Sequence, residues 1–446
     1  MYGEPVTPAT IGSINQRLVN DGVVRGLPPE ILPKHYRNFQ PRFGFAYDPT
    51  GNGKTSIRGS AGIFYNHLTL NDSSGALFGK NVPFQTAAQI FGGKADCPGA
   101  PLSPTRGCAG VVTPSTAAPL PIPISAGDLT GHIPAVYQWS TSVQRMLPTD
   151  TLLEVGYVGT RGRHIALNYD LNQFPLGVLP ALEASFPSDP SGDVAAAFAP
   201  YPGFGRLIAG LNNTNSQYDS LQVSAQHRMN RGLQFGVSYT YSKSHDFGSD
   251  RYATAVDTYD LKYNYGPPDW QRNHMFTANF VYDLPLLRNV TSFAGKALGG
   301  WELAGVLALA SGRPFNITAD TDAAIVGNNF SQNASLVSGC DPNSGPRSID
   351  QWFKTSCFVA PTAGTFGNAG RNSVWGPPVK NFDLAFYKNG PIYAEKLRYQ
   401  FRAEFFNVLN HPSFSDLSHG ISSGSFGTVT AANDPREIQF ALRLMF

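Results

Sequence analysis

Apolar and polar residues alternate with a period of two through much of the chain, most clearly at its C-terminus. Between Arg436 and Phe446, the side chains of Ile438, Phe440, Leu442, Leu444 and Phe446 fall on one face of an extended segment; Glu437, Gln439, Ala441 and Arg443 fall on the other. In the segment before it, Leu397, Tyr399, Phe401, Ala403 and Phe405 alternate with Lys396, Arg398, Gln400, Arg402 and Glu404. The pattern predicts strands over Phe39–Asp48, Thr55–Asn66, Ala135–Leu147, Thr151–Thr160, Gln217–Met229, Leu233–Lys243, Trp270–Leu284, Gly300–Ser311, Val379–Lys388, Lys396–Asn407 and Arg436–Phe446. Soluble strands average about five or six residues. These segments are nearer the roughly 9–11 residues that a tilted transmembrane strand needs.

The predicted connections alternate between short and long. Short ones follow the first, third, fifth, seventh and ninth strands, and Gly51-Asn52-Gly53 marks the first as a tight turn. Long ones fill the remaining gaps: 67–134, 161–216, 244–269, 312–378 and 408–435. Transmembrane barrels have this asymmetry, with short periplasmic turns and longer extracellular loops. Eleven strands bring the first and the last to run in the same direction, so they cannot close on each other antiparallel. The expected fold is therefore all-β, an antiparallel transmembrane β-barrel seen as an incomplete barrel over 37–446. Residues 1–36, with Pro5, Pro8, Pro28, Pro29 and Pro33, are expected to form an extracellular loop segment.

Composition narrows the picture. The charged residues are 14% of the chain against roughly 25% in ordinary globular proteins, while aromatic residues reach 12% with 30 Phe and 19 Tyr. The net charge of +2 forms no basic stripe, which excludes nucleic acid as a partner. The longest apolar run, Leu303–Ala310, is too short for a helical span and contains Gly305. The four cysteines fall into two local pairs, Cys97 with Cys108 and Cys340 with Cys357, both in long connections on the expected extracellular side. Their spacing and the lack of neighbouring His fit loop-closing disulfides better than zinc, and point to an oxidising compartment. Met1-Tyr2-Gly3-Glu4 opens no signal peptide, so the expectation is an exported protein without its front end.

Several stretches carry a family likeness: Asn38-Phe39-Gln40-Pro41-Arg42-Phe43-Gly44-Phe45-Ala46-Tyr47-Asp48-Pro49, Ile57-Arg58-Gly59-Ser60-Ala61-Gly62-Ile63-Phe64-Tyr65 and Gly156-Tyr157-Val158-Gly159-Thr160-Arg161-Gly162. Ser238-Tyr239-Thr240-Tyr241-Ser242-Lys243-Ser244, Gly300-Trp301, Ser311-Gly312-Arg313-Pro314-Phe315 and Arg402-Ala403-Glu404-Phe405-Phe406-Asn407-Val408-Leu409-Asn410-His411-Pro412 follow in order. In these residues the chain resembles the C-terminal half of a TonB-dependent receptor of the Oar-like type, in the cell outer membrane. The resemblance implies a 22-stranded barrel, of which these eleven strands are half, with a plug and a TonB box in an N-terminal region outside these residues. The alternating C-terminal residues Ile438, Phe440, Leu442, Leu444 and Phe446 resemble the signal read by the barrel assembly machinery. The implied partners are outer-membrane lipid, that machinery, the TonB complex through the N-terminal region, and an unidentified ligand taken up with energy. Surface binding or adhesion without uptake is the alternative, and a soluble all-β lectin a third.

Candidate chemistry is sparse. Arg58, Arg228, Arg398, Arg402, Glu404 and Arg443 are expected on the polar, lumen face, either lining a substrate path or forming a hydrogen-bonded wall; Arg402 and Glu404 are spaced for an ion pair. The nine His are scattered without metal-ligand spacing. Asp320 and Asp322 resemble a calcium loop but lack its Gly and distal Glu. Gly51-Asn52-Gly53-Lys54-Thr55 has the wrong spacing for a phosphate loop, and no nucleophile-elbow pattern occurs. No enzymatic activity and no cofactor are expected. Tyr47, Tyr65, Tyr137, Trp139, Trp301 and Tyr387, near strand ends, are expected in the interfacial aromatic girdles.

Overall fold

The structure, a computed structural model, describes residues 38–66, 122–127, 132–185, 198–201, 204–250, 253–286, 295, 299–327, 332–393 and 397–446. The expected loop segment 1–36 lies outside these residues. So does the disulfide expected between Cys97 and Cys108, because Cys97 and Cys108 both fall within 67–121.

Eleven strands form one antiparallel meander in which each pairs with its sequence neighbour. They are β1 (Arg42–Tyr47), β2 (Thr55–Tyr65), β3 (Ala135–Met146), β4 (Thr151–Asp170), β5 (Phe204–Asn230), β6 (Leu233–His245), β7 (His274–Asp283), β8 (Trp301–Ala310), β9 (Val379–Tyr393), β10 (Leu397–Phe406) and β11 (Glu437–Met445). All eleven expected strands are present. The sheet is not closed: β1 and β11 lie at its two ends. A short strand, Ile122–Gly127, pairs in parallel with the start of β5 and was not foreseen.

Register carries one apolar row from strand to strand, because directly paired residues share a face. Phe280 opposes Phe235 and Gly305, Leu384 opposes Gly305 and Phe405, and Phe405 opposes Ile438. The outward face thus runs from Phe43 and Phe45 on β1 to Phe440 and Leu442 on β11, four side chains that are all more than 60% exposed. Exposed apolar rows of this extent have no place in water; in a membrane they are the lipid-facing surface. Gly305 fits the row because its neighbours fill the space: a Cβ there would come within 2.5 Å of the Phe280 ring.

That two-faced arrangement predicts a contrast between adjacent positions on β8. Leu307→Arg puts a charge in hydrocarbon and is expected to cost about 2–4 kcal/mol. Ala308→Arg, one residue on and facing the polar side, is expected to cost little. Urea unfolding of each variant in lipid vesicles measures the difference.

Two strands outrun their predicted ends. β4 continues to Asp170 and β5 begins at Phe204, giving a ribbon that rises past the other strands. The register slips between Arg163 and Ile165 and again before Ala166, with His164 at φ 56. These bulges break the alternation by which a strand is recognised. Beyond them Leu167 and Tyr169 bury against Ala255 of the next long connection.

Candidate functional site

The polar face and the folded long connections make up the candidate site. On the polar face, short side chains bond across the strands: Ser60 Oγ lies 2.8 Å from Ser140 Oγ, and Ser238 Oγ lies 2.7 Å from Thr277 Oγ1. Gln144 Nε2 donates to Glu154 over 2.9 Å, and Gln400 Nε2 to Asn389 over 2.9 Å.

Arg58, Arg398, Arg402, Glu404 and Arg443 lie on this face by register. Arg228 falls just beyond the regular pairing, before the turn between β5 and β6. The structure brings together those on β10 and β11, where Arg443 opposes Gln400. Arg58 is far along the sheet and donates from Nε to Ser56 Oγ over 3.2 Å. Arg402 and Glu404 make no ion pair with each other. Arg402 Nε donates to Gln400 Oε1 over 2.8 Å, and Glu404 accepts from Tyr387 Oη over 3.3 Å. The Arg402 guanidinium lies 5.6 Å from the centre of the Tyr387 ring, so Tyr387 mediates between the two charges. Tyr387 therefore belongs to the polar wall, not to the outward girdle expected of it. Tyr47, Tyr65, Tyr137, Trp139 and Trp301 do fall in the outward row. A depression of about 390 Å³ opens beside this group, with Gln234, Asn279, Asp383, Tyr387 and Glu404 among its lining residues.

At the other end, long connections fold into a cap. Residues 312–378, between β8 and β9, and 407–436, between β10 and β11, share a core of Phe315, Ile317, Trp352, Phe353, Phe358 and Leu417 with other apolar residues. Phe353 packs edge-on against Phe358 and Phe426, with ring centres 5.9 and 5.2 Å away. Of the two disulfides expected from the sequence, the one between Cys340 and Cys357 is formed, with Cα atoms 5.5 Å apart, and ties the first of these segments. The other, between Cys97 and Cys108, belongs to a connection outside the described residues and stays an expectation. Replacing Cys340 and Cys357 by Ser is expected to cost about 3 kcal/mol of cap stability, read as faster proteolysis within 312–378 and unchanged heat resistance of the sheet.

Asp320 and Asp322 organise the cap. Asp322 accepts from the backbone N–H groups of Val326 and Gly327 and from Gln332 Nε2. Asp320 accepts from Thr318 Oγ1 over 2.7 Å and from Ser422 Oγ over 2.7 Å. Burial raises the Asp320 pKa, but these hydrogen bonds outweigh it and set the group below its ordinary value. Among the described residues, no group of three or more His, Cys, Asp or Glu is placed to hold a metal ion.

Arg371 latches the cap to the connection between β6 and β7. Its Nη1 lies 2.6 Å from Asp246 Oδ1 and also donates to the carbonyls of Asp246 and Asn264, while Nη2 donates to Ser249 Oγ. Nothing in the sequence singled out Arg371, because its partners lie more than 100 residues away.

The family model of an outer membrane beta barrel domain matches residues 5–439. No curated protein matches the chain. Among similar solved structures is the outer membrane transporter YddB from Escherichia coli, at 10% identity over 91% of this chain and 40% of that one, with a TM-score of 0.48. The siderophore receptor PiuA from Acinetobacter baumannii is similar at 9% identity over 91% of this chain and 35% of that one, with a TM-score of 0.43. The FrpB iron transporter from Neisseria meningitidis is similar at 11% identity over 91% and 39%, with a TM-score of 0.42. The chain thus spans well under half the length of each.

Proposed function

The chain belongs to the family of outer membrane beta barrel domains, and on that premise we propose that it is the ligand-capturing part of a TonB-dependent receptor barrel in the outer membrane. The observation that carries this reading is the cap: long connections on one side of the sheet share a buried core and a buried Arg371 latch. Loops that only joined strands would not need a core of their own. A folded cap beside a polar wall suits capture of a ligand and its release toward the lumen.

The open sheet fits the same proposal. β1 and β11 run in the same direction, and bacterial single-chain barrels close antiparallel with even strand numbers, so closure takes an odd number of further strands. Unpaired edges in hydrocarbon cost several kcal/mol for each unsatisfied group. In this proposal the remaining strands, the plug and the TonB contact belong to the intact receptor, and Arg398, Arg402, Glu404 and Arg443 line the wall past which the ligand moves.

Uptake by cells producing the intact receptor tests the reading. Labelled ferric siderophores, oligosaccharides and peptides are offered with and without a protonophore. Accumulation of one class that stops when the proton gradient collapses is the expected result. Surface binding that a protonophore leaves unchanged, with no accumulation of any class, would replace uptake by adhesion.

A further inference from the structure

The connections on the extracellular side are joined to one another in a closed circuit. Gln173, between β4 and β5, is 2% exposed and reaches into 246–273, the connection between β6 and β7. Its Nε2 donates to the Val256 carbonyl over 3.3 Å, and its Oε1 accepts from the Thr258 N–H over 2.7 Å. Its own carbonyl accepts from Tyr259 Oη over 2.9 Å. The 246–273 connection is in turn held to 312–378 by Arg371 and by Asn372. The Nδ2 of Asn372 donates to the Pro267 carbonyl and to Asp269 Oδ1, over 2.7 and 2.6 Å. The third side of the circuit runs from Phe174 straight to 312–378. The Phe174 N–H donates to the Val326 carbonyl over 3.0 Å, and Ile325 packs against the buried Phe174, Leu179 and Ala199.

A fourth connection, 407–436, is attached to this triangle through 312–378. The Thr318 N–H donates to the His419 carbonyl over 3.1 Å and the Ile421 N–H to the Thr318 carbonyl over 3.0 Å, beside the shared apolar core. In a row of linked loops, the end member can open by breaking one set of contacts. A triangle has no end member. Releasing the β4–β5 connection breaks the contacts of both Gln173 and Phe174, and releasing 246–273 breaks those of both Gln173 and Arg371. Either release leaves buried donors and acceptors without partners, which is costly. Displacing all four connections together breaks none of these bonds.

We propose that these four connections form one lid, which opens and closes over the lumen as a single body. Local openings of a fold occur in cooperative units, and here the circuit through Gln173, Arg371 and Phe174 sets the limits of the unit. A ligand that favours the closed position of any one connection then shifts all four, because they share a single equilibrium. The inference rests on the capture reading only for what the lid serves. Its test uses no ligand, so its failure would leave that reading standing.

The test is native-state hydrogen exchange of the full chain in detergent micelles, read by mass spectrometry at rising urea. Peptides covering 171–182, 253–266, 316–327 and 414–429 are expected to share one opening free energy, below that of the strand ladders. Gln173→Ala is expected to speed exchange about thirtyfold in all four, the size for stranding a buried hydrogen-bonding pair. Tyr259→Phe removes only the bond to the Gln173 carbonyl and should speed exchange about fivefold in all four. Lys262→Gln, at an exposed position of the same connection, should change none of them. Different opening free energies among the four sets in the unaltered chain would overturn the proposal, and so would a shared value equal to that of the ladders. Faster exchange confined to 171–182 and 253–266 in Gln173→Ala would overturn it as well; if that variant does not fold, Tyr259→Phe and the unaltered chain decide.

Discussion

Arg371→Met is expected to destabilise the cap by about 3–5 kcal/mol, the range for removing one partner of a buried ion pair. Side-chain exposures of 11% for Arg371 and 15% for Asp246 leave little water to replace the lost contact. Asp246 would keep its buried position without its cation. The defect should depend on pH in a definite direction. Burial already raises the Asp246 pKa above its ordinary value, with Arg371 pulling it partway back, so removing the guanidinium raises it further. A folded value above the unfolded one means that the folded state binds the proton more readily. The part of the cost that comes from the Asp246 charge is then absent below the ordinary carboxylate range, near pH 4. The loss of the Arg371 bonds to the Asn264 carbonyl and Ser249 remains at every pH. The charge-dependent part grows as pH rises and is complete above the folded pKa. Hydrogen exchange of 246–266 and 312–378 at several pH values should show the variant's loss of protection shrinking on acidification. A loss of equal size at all pH values would mean that Asp246 is not the group left behind.

Phe353→Ala should have an effect of similar size. The ring is fully buried and contacts Phe358 in its own segment and Phe426 in the last connection. Truncating a buried Phe costs about 3–5 kcal/mol, part lost transfer and part cavity. Because the ring bridges two connections, 312–378 and 407–436 are expected to lose protection together. Heat resistance of the strand meander should be unchanged, since it has its own ladders. Loss confined to one connection would show that the cap is not a single cooperative unit.

Most strands were legible because one row faces hydrocarbon and the other a polar wall, and that difference is written as period-two alternation; β8, whose inward row is Glu302, Ala304, Val306, Ala308 and Ala310, carries it least. Where the environment stops being two-sided, legibility stops as well. The upper halves of β4 and β5 stand above the membrane, bulge around His164 and bury Leu167 and Tyr169 in a loop core, so no simple period survives there. The cap was unreadable for a related reason: Phe315, Trp352, Phe353, Val374 and Leu417 meet in space without any regular spacing in sequence. On the polar face, the sequence placed Arg402 and Glu404 on one side of a strand, which register confirms. It paired them directly, whereas the structure inserts Tyr387 between them. That contact depends on the facing of a neighbouring strand and on which rotamers the wall allows, neither of which spacing along one strand contains. Tyr387 itself was misread because an aromatic near a strand end suggests a girdle, while its place on β9 turns it inward.

Single spin labels at each position from Leu233 to Lys243 on β6, in the chain in lipid vesicles, test most directly whether the outward row meets hydrocarbon. Collision with molecular oxygen, which concentrates in hydrocarbon, and with a water-soluble nickel chelate should alternate with a period of two. Oxygen contact should peak at 233, 235, 237 and 239, and chelate contact at 234, 236, 238 and 240. Alternation in the opposite phase, or uniform access of the nickel chelate along the strand, would contradict the account.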